Sequence, residues 1–181
     1  MDTSREKAWN ILTRHVQEKA LLNHCMAVEA AMRAYAAKYG GDIEYWGAVG
    51  LLHDVDFEQY PEEHPDHAGE ILKPHGYTEQ FITDIQSHAR DWAPERNLLQ
   101  KVLLGVDELT GFIIACALVR PDKSLANVQV KSVMKKMKDK AFARAVNRET
   151  IVQGAEMLGI ELQEHIEFVT AALAKDFCMV S

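Results

Sequence analysis

The chain is poor in the features that staple or anchor a protein. Its three cysteines are an odd number at irregular spacing. They offer no disulfide framework and point to a reducing compartment. Ten glycines and five prolines are too few for a loop-rich β-sandwich. No sustained apolar–polar alternation and no Asn-Gly or Asp-Gly hairpin signal occurs, so strands are not expected. The longest apolar run, residues 109–119, is about half of the roughly 20 residues a membrane helix needs. The first residues, MDTSREKAWNILTRH, hold no apolar stretch of the signal-peptide kind. The expectation is a cytoplasmic protein that does not enter membranes. Low complexity, repeats and linkers are absent too, and 48% hydrophobic content excludes disorder.

What is present is helical spacing almost throughout. Apolar positions predict helices over about residues 5–19, 18–39, 43–55, 65–73, 78–89, 95–119, 128–138, 148–158 and 162–177. Gly40-Gly41 and Gly159 are stop signals, Thr78 is an N-cap, and Pro94 opens the longest segment. The reading is an all-α, compact single domain over residues 1–181, a bundle of about eight to nine helices. Its length suffices for a core without metal or disulfide support.

The net charge of −7 is uneven. Residues 119–148 hold nine Lys/Arg and two Asp, a local charge of +7, which leaves −14 for the rest. On one helix face, Lys131, Lys135 and Lys138 stand at i, i+4 and i+7, and Arg120 ends the preceding helix. Such a face suits a small anion. The acidic average, and the lack of aromatics among the lysines, argue against long nucleic acids.

Of eight histidines, six lie between His24 and His88. His53-Asp54 lies on a predicted helix that is apolar on nearly all sides. A buried carboxylate there costs several kcal/mol unless it is paired, and a cation is a direct partner. His24 lies in LLNHCM and Asp107 in LLGVDEL, each among apolar neighbours. Two histidines and two carboxylates from separate helices make a divalent-metal site with open positions. Cys25 reads as a small core residue, His75 as a turn residue, and His15 and His165 as surface residues.

The order His, His-Asp, Asp resembles the HD superfamily of metal-dependent phosphohydrolases. GLLHDVD at 50–56 is similar to the family's LLHD core. HPDHAGEIL at 64–72 is similar to the HPxxxxxIL helix of many members, and His88 falls on the helix after it. VDELTGFI, ALVRPxKS and VKSVxKKMKDKAF, from 106 onward, resemble a small bacterial and archaeal subgroup of predicted HD hydrolases. The resemblance implies a metal-site core over about residues 18–119, with basic and C-terminal helices over 120–181. It implies that His24, His53, Asp54 and Asp107 hold a first divalent metal, and that His64 and His88 hold a second. His67, three residues after His64, competes for that place; the His-Pro pair favours His64. The number of metals, one or two, and the choice among Mn, Fe, Co, Ni, Zn and Mg stay open.

The resemblance implies hydrolysis of a small phosphorylated compound, a nucleotide among the candidates, by a metal-activated water. Asp54, Asp56 and Glu108 are the catalytic candidates, and Arg120, Lys131 and Lys135 the substrate-binding ones. Asp84, four residues before His88, is a candidate to orient that imidazole. Two alternatives share the ligands: a di-iron oxygenase cleaving C–C or C–P bonds, and a metal-binding protein without turnover.

Overall fold

The computed structural model describes residues 1–89 and 94–179. Every regular element among them is helical. The α-helices are α1 (Arg5–His15), α2 (Lys19–Tyr39), α3 (Ile43–Leu52), α4 (Ala68–Leu72), α5 (Glu79–Gln86), α6 (Leu98–Leu118), α7 (Val130–Met137), α8 (Arg148–Leu158) and α9 (Leu162–Asp176). None is long and apolar enough to cross a membrane.

Local chemistry sets the boundaries. Gly40 and Gly159 end α2 and α8 at φ of 72° and 66°, a left-handed conformation glycine adopts without cost. Asp42, Thr78 and Asn147 accept backbone N–H groups at the starts of α3, α5 and α8. Several helices are shorter than their apolar spacing predicts, and three of these differences bear on the site. The α3 helix stops at Leu52, so His53 caps it and Asp54 lies beyond it. Residues 65–73 form a helix only over Ala68–Leu72, then tighten into a 3₁₀ turn at Lys73–His75, where Pro74 lacks the N–H needed to continue. The long segment begins at Leu98 rather than 95, because Asn97 and Gln100 form a capping box there.

The core lies among α2, α3, α5 and α6, where Met32, Tyr35, Leu51, Leu52, Phe81 and Phe112 are fully buried. Two crossings bring backbones into near contact. At Gly50 a Cβ would stand 3.0 Å from the Val28 carbonyl of α2. At Gly154 of α8 a Cβ would stand 2.3 Å from the Gly105 Cα of α6. His53 follows Gly50 by three residues and Asp107 follows Gly105 by two, so tight packing holds the backbone on which both stand.

His165 is not the surface residue its sequence context suggests. It is fully buried on the face of α9 that carries Ile166, Val169 and Leu173. Its Nε2–H donates to the Gly105 carbonyl at 2.8 Å, and its Nδ1 faces the Tyr35 hydroxyl at 2.6 Å. Burial lowers its pKa, and a neutral imidazole with both nitrogens paired packs like an apolar group.

Candidate metal centre

Six of the sequence candidates converge. His24 comes from the second turn of α2, His53 and Asp54 from the end of α3, and Asp107 from α6. His64 comes from the turns between α3 and α4, and His88 from the turn after α5. The two oxygens of Asp54 face different ways. Its Oδ2 lies 3.4 Å from His24 Nε2 and 3.3 Å from His53 Nε2. Its Oδ1 lies 3.1 Å from His64 Nε2 and 3.6 Å from His88 Nε2. Asp107 Oδ1 completes the first group, at 3.0 Å from His24 Nε2 and 3.5 Å from His53 Nε2. The groups His24–His53–Asp107 and Asp54–His64–His88 are each tight enough to hold a metal ion.

The ring orientations show what the cluster presents. His53 Nδ1 faces the Gly50 carbonyl at 2.8 Å, and His88 Nδ1 faces the Ile85 carbonyl at 2.5 Å. A carbonyl only accepts, so each Nδ1 carries a proton and each Nε2 is the nitrogen left facing the cluster. His64 Nδ1 donates likewise to Asp56 Oδ1 at 2.6 Å. Yet the Nε2 atoms meet nose to nose, His24 to His53 at 3.1 Å and His64 to His88 at 2.8 Å. Two lone pairs at that distance repel unless a proton or a cation stands between them. Donors bound to one cation at about 2.0–2.2 Å stand about 3.0–3.5 Å apart, the spacing found in the first group.

The electrostatics agree. Burial resists charge on His53, but Asp54 and Asp107 raise its pKa well above the ordinary imidazole value. Burial resists charge on Asp54, but His53, His64 and His88 hold it well below the carboxylate range. Asp107 behaves the same way beside His24 and His53. His64 is desolvated, yet Asp54 and Asp56 bring it up to about 9. The buried carboxylates demand positive charge, and the C-terminal ends of α3 and α5, near His53 and His88, add to that demand. Nitrogen and oxygen donors suit a divalent ion of the first transition row or Mg²⁺. Cys25 Sγ lies near His53 and Asp54. Burial, then the two aspartates, push its thiol well up, which keeps it a protonated floor residue.

The remaining candidates separate. Asp56 is fully buried, spends Oδ1 on His64 and accepts the His67 N–H on Oδ2 at 3.0 Å; it orients the turn and does not line the cavity. His67 turns away from the cluster, stacks on Tyr60 at 4.0 Å and meets Glu63 and Glu70. Glu108 lines the cavity and accepts the Asn147 N–H at 3.0 Å. Asp84 does not reach His88; it binds Tyr45, Gln80, Asn97 and Gln100. Arg120 pairs with Asp122 and lines a separate cavity with Cys116 and Lys136. Lys131 and Lys135 are exposed on α7 and do not line the central cavity. The basic segment is dense in sequence, but its apolar stripe Val130–Val133–Met134–Met137 faces the protein and turns the lysines outward.

Two arginines that sequence reasoning passed over hold the walls. Arg96 donates to the carbonyls of Ser87 and Ala89, on either side of His88. Arg148 lies over the Phe112 ring and donates to the carbonyls of Asp139, Phe142, Ala143 and Val146. It thereby shapes the loop that brings Ala145 and Val146 to the cavity. Their acceptors are backbone carbonyls, which leave no mark in a sequence. The cavity is about 540 Å³ and is lined by His24, Asp54, His64, His88 and Asp107, among others.

The family model described as HD domain matches residues 21–111, half of the chain. No curated protein and no solved structure matches the chain.

Proposed function

Since the chain belongs to the HD-domain family, whose members are in general metal-dependent phosphohydrolases, we propose that it hydrolyses a small phosphorylated compound. The observation that carries this reading is the Asp54 carboxylate set between two facing imidazole pairs at the floor of an open cavity. His24, His53, Asp54 and Asp107 would hold one divalent cation, and Asp54, His64 and His88 a second. Such cations supply a Lewis acid for phosphoryl oxygens and a water of lowered pKa.

Hydrolysis forms one bond from a water oxygen to phosphorus, breaks the ester P–O bond and returns a proton to the departing alcohol. The chain's own residues serve that reaction in three ways. Carbonyls of Gly50 and Ile85 fix the ring orientations of His53 and His88 and leave each Nε2 facing the cluster. Asp56 does the same for His64. Glu108, the cavity carboxylate next to Asp107, takes the proton-carrying role at its carboxylate oxygens, while the Asn147 N–H holds its side chain toward the α8 entrance.

The test is turnover of a phosphomonoester panel by protein loaded with Mn²⁺, run with and without O₂. Hydrolysis that proceeds equally without O₂, and stops in Asp107→Ala, is the expected result. Iron content coupled to O₂-dependent product would favour a di-iron oxygenase built on the same six residues. Bound metal with no turnover across the panel would leave a binding protein.

A further inference from the structure

The lysines of α7 do not line the central cavity, but they border a groove of their own. Helical spacing sets Lys131, Lys135 and Lys138 in one row, on the flank next to Met134. All three are exposed, and none is in an ion pair among the described residues. Beside that row, α7, α8 and Leu162 at the start of α9 enclose a groove of about 450 Å³. Met134 and Met137 line it from α7, and Val152, 37% exposed, lines it from α8.

The two rims carry opposite charge. Lys138 lines the α7 side. Glu149 and Glu156 line the α8 side, both exposed and two turns apart. Arg148 also lines the groove, but its guanidinium is spent on backbone carbonyls of the loop before α8. An acidic membrane or a nucleic-acid backbone would gain from the lysines and be repelled by the two glutamates. A flat bilayer also cannot follow a groove. A helix can, and its two flanks carry charge independently of its apolar stripe. Methionines suit such a partner, because their unbranched side chains repack around apolar groups of varied shape.

We propose that the α7–α8 groove docks an amphipathic helix of a partner protein. The apolar stripe of that helix lies on Met134, Met137 and Val152. Its flank beside α7 carries Asp or Glu against the lysine row, and its flank beside α8 carries Lys or Arg against Glu149 and Glu156. Those glutamates are seven residues apart, about 10 Å along α8, so a partner helix of two to three turns meets both.

The experiment measures, by fluorescence anisotropy on the full chain, binding of two labelled helical peptides of about 15 residues. Both share one leucine stripe and have no net charge. One carries Glu along one flank and Lys along the other; the second carries Gln on both. The Glu/Lys peptide is expected to bind about tenfold tighter at low salt, and the preference to shrink at high salt. Lys131→Glu with Lys135→Glu is expected to bring the ratio near one, and Val152→Gln to weaken both peptides. These three positions are exposed, and circular dichroism checks that each variant is folded. Failure of both peptides to bind, a ratio untouched by the lysine reversal, or binding untouched by Val152→Gln would each overturn the proposal. So would capture by phosphatidylserine vesicles in place of the peptides, which would make the lysine row a membrane face. A native dimer that Val152→Gln dissociates would overturn it too, by giving the groove to a second copy of the chain.

Discussion

The two halves of the cluster are built differently. His24, His53 and Asp107 stand on or against long helices, and close glycine crossings at Gly50 and Gly105–Gly154 lock the backbone beneath two of them. His64 and His88 stand on turns, steadied by single contacts from Asp56, Ile85 and Arg96. The first half is rigid because many packed residues would have to move together for it to loosen. The second depends on a few polar contacts, each separately removable.

Four substitutions or titrations sharpen or break that contrast. The largest effect is expected from Gly154→Ala, which drives a methyl group into the Gly105 backbone. Overpacking of this kind costs about 1–3 kcal/mol. A thermal melt should show the loss, with both halves weakened; an unchanged melting temperature would mean that the α6–α8 crossing is looser than its geometry shows.

Asp56→Ala comes next. Loss of an imidazole's partner lowers metal affinity about 10–100-fold. The loss should fall on the His64–His88 half alone, so a two-step metal titration keeps its tight step and weakens its second. Equal weakening of both steps would dissolve the distinction.

The third is a pH dependence. Without a cation, Asp54 and Asp56 keep His64 protonated up to about pH 9. Metal must displace that proton, so affinity at the turn-borne half rises with pH and falls as pH drops below that value. The slope is up to about tenfold per pH unit for one proton. Titrations between pH 6.5 and 8.5 with proton-release calorimetry check this, and a flat profile would contradict the raised pKa of His64.

The smallest effect is expected on the basic face. Lys131→Ala and Lys135→Ala should leave KM for a phosphomonoester within about twofold, since surface charges act weakly across salt. A KM raised tenfold would place those lysines on the substrate path after all.

Much of this was legible in the sequence, and the limits have physical causes. Helical periodicity located the nine α-helices found among the described residues, because a buried face repeats every few residues whatever its neighbours are. It could not show where α3 ends, because Val55 is as apolar as Leu52; His53 and Asp54 therefore read as the helix's last turn rather than as cap and turn. The six clustered residues were marked out by order and residue type. Their division into two facing pairs about Asp54 depends on side-chain direction, which only the fold supplies. His165 was misjudged because a lone imidazole carries no sign of its buried partners Tyr35 and Gly105. The lysines misled because charge was summed along the chain, whereas a substrate meets charge in space.

The bridging role of Asp54 is the centre of the account, and metal stoichiometry tests it most directly. Native protein and Asp54→Ala, both shown to be folded by circular dichroism, are dialysed against the same low concentration of Mn²⁺ and measured by elemental analysis. Two ions per native chain and none in Asp54→Ala is the expected result. Two ions retained by Asp54→Ala would contradict it.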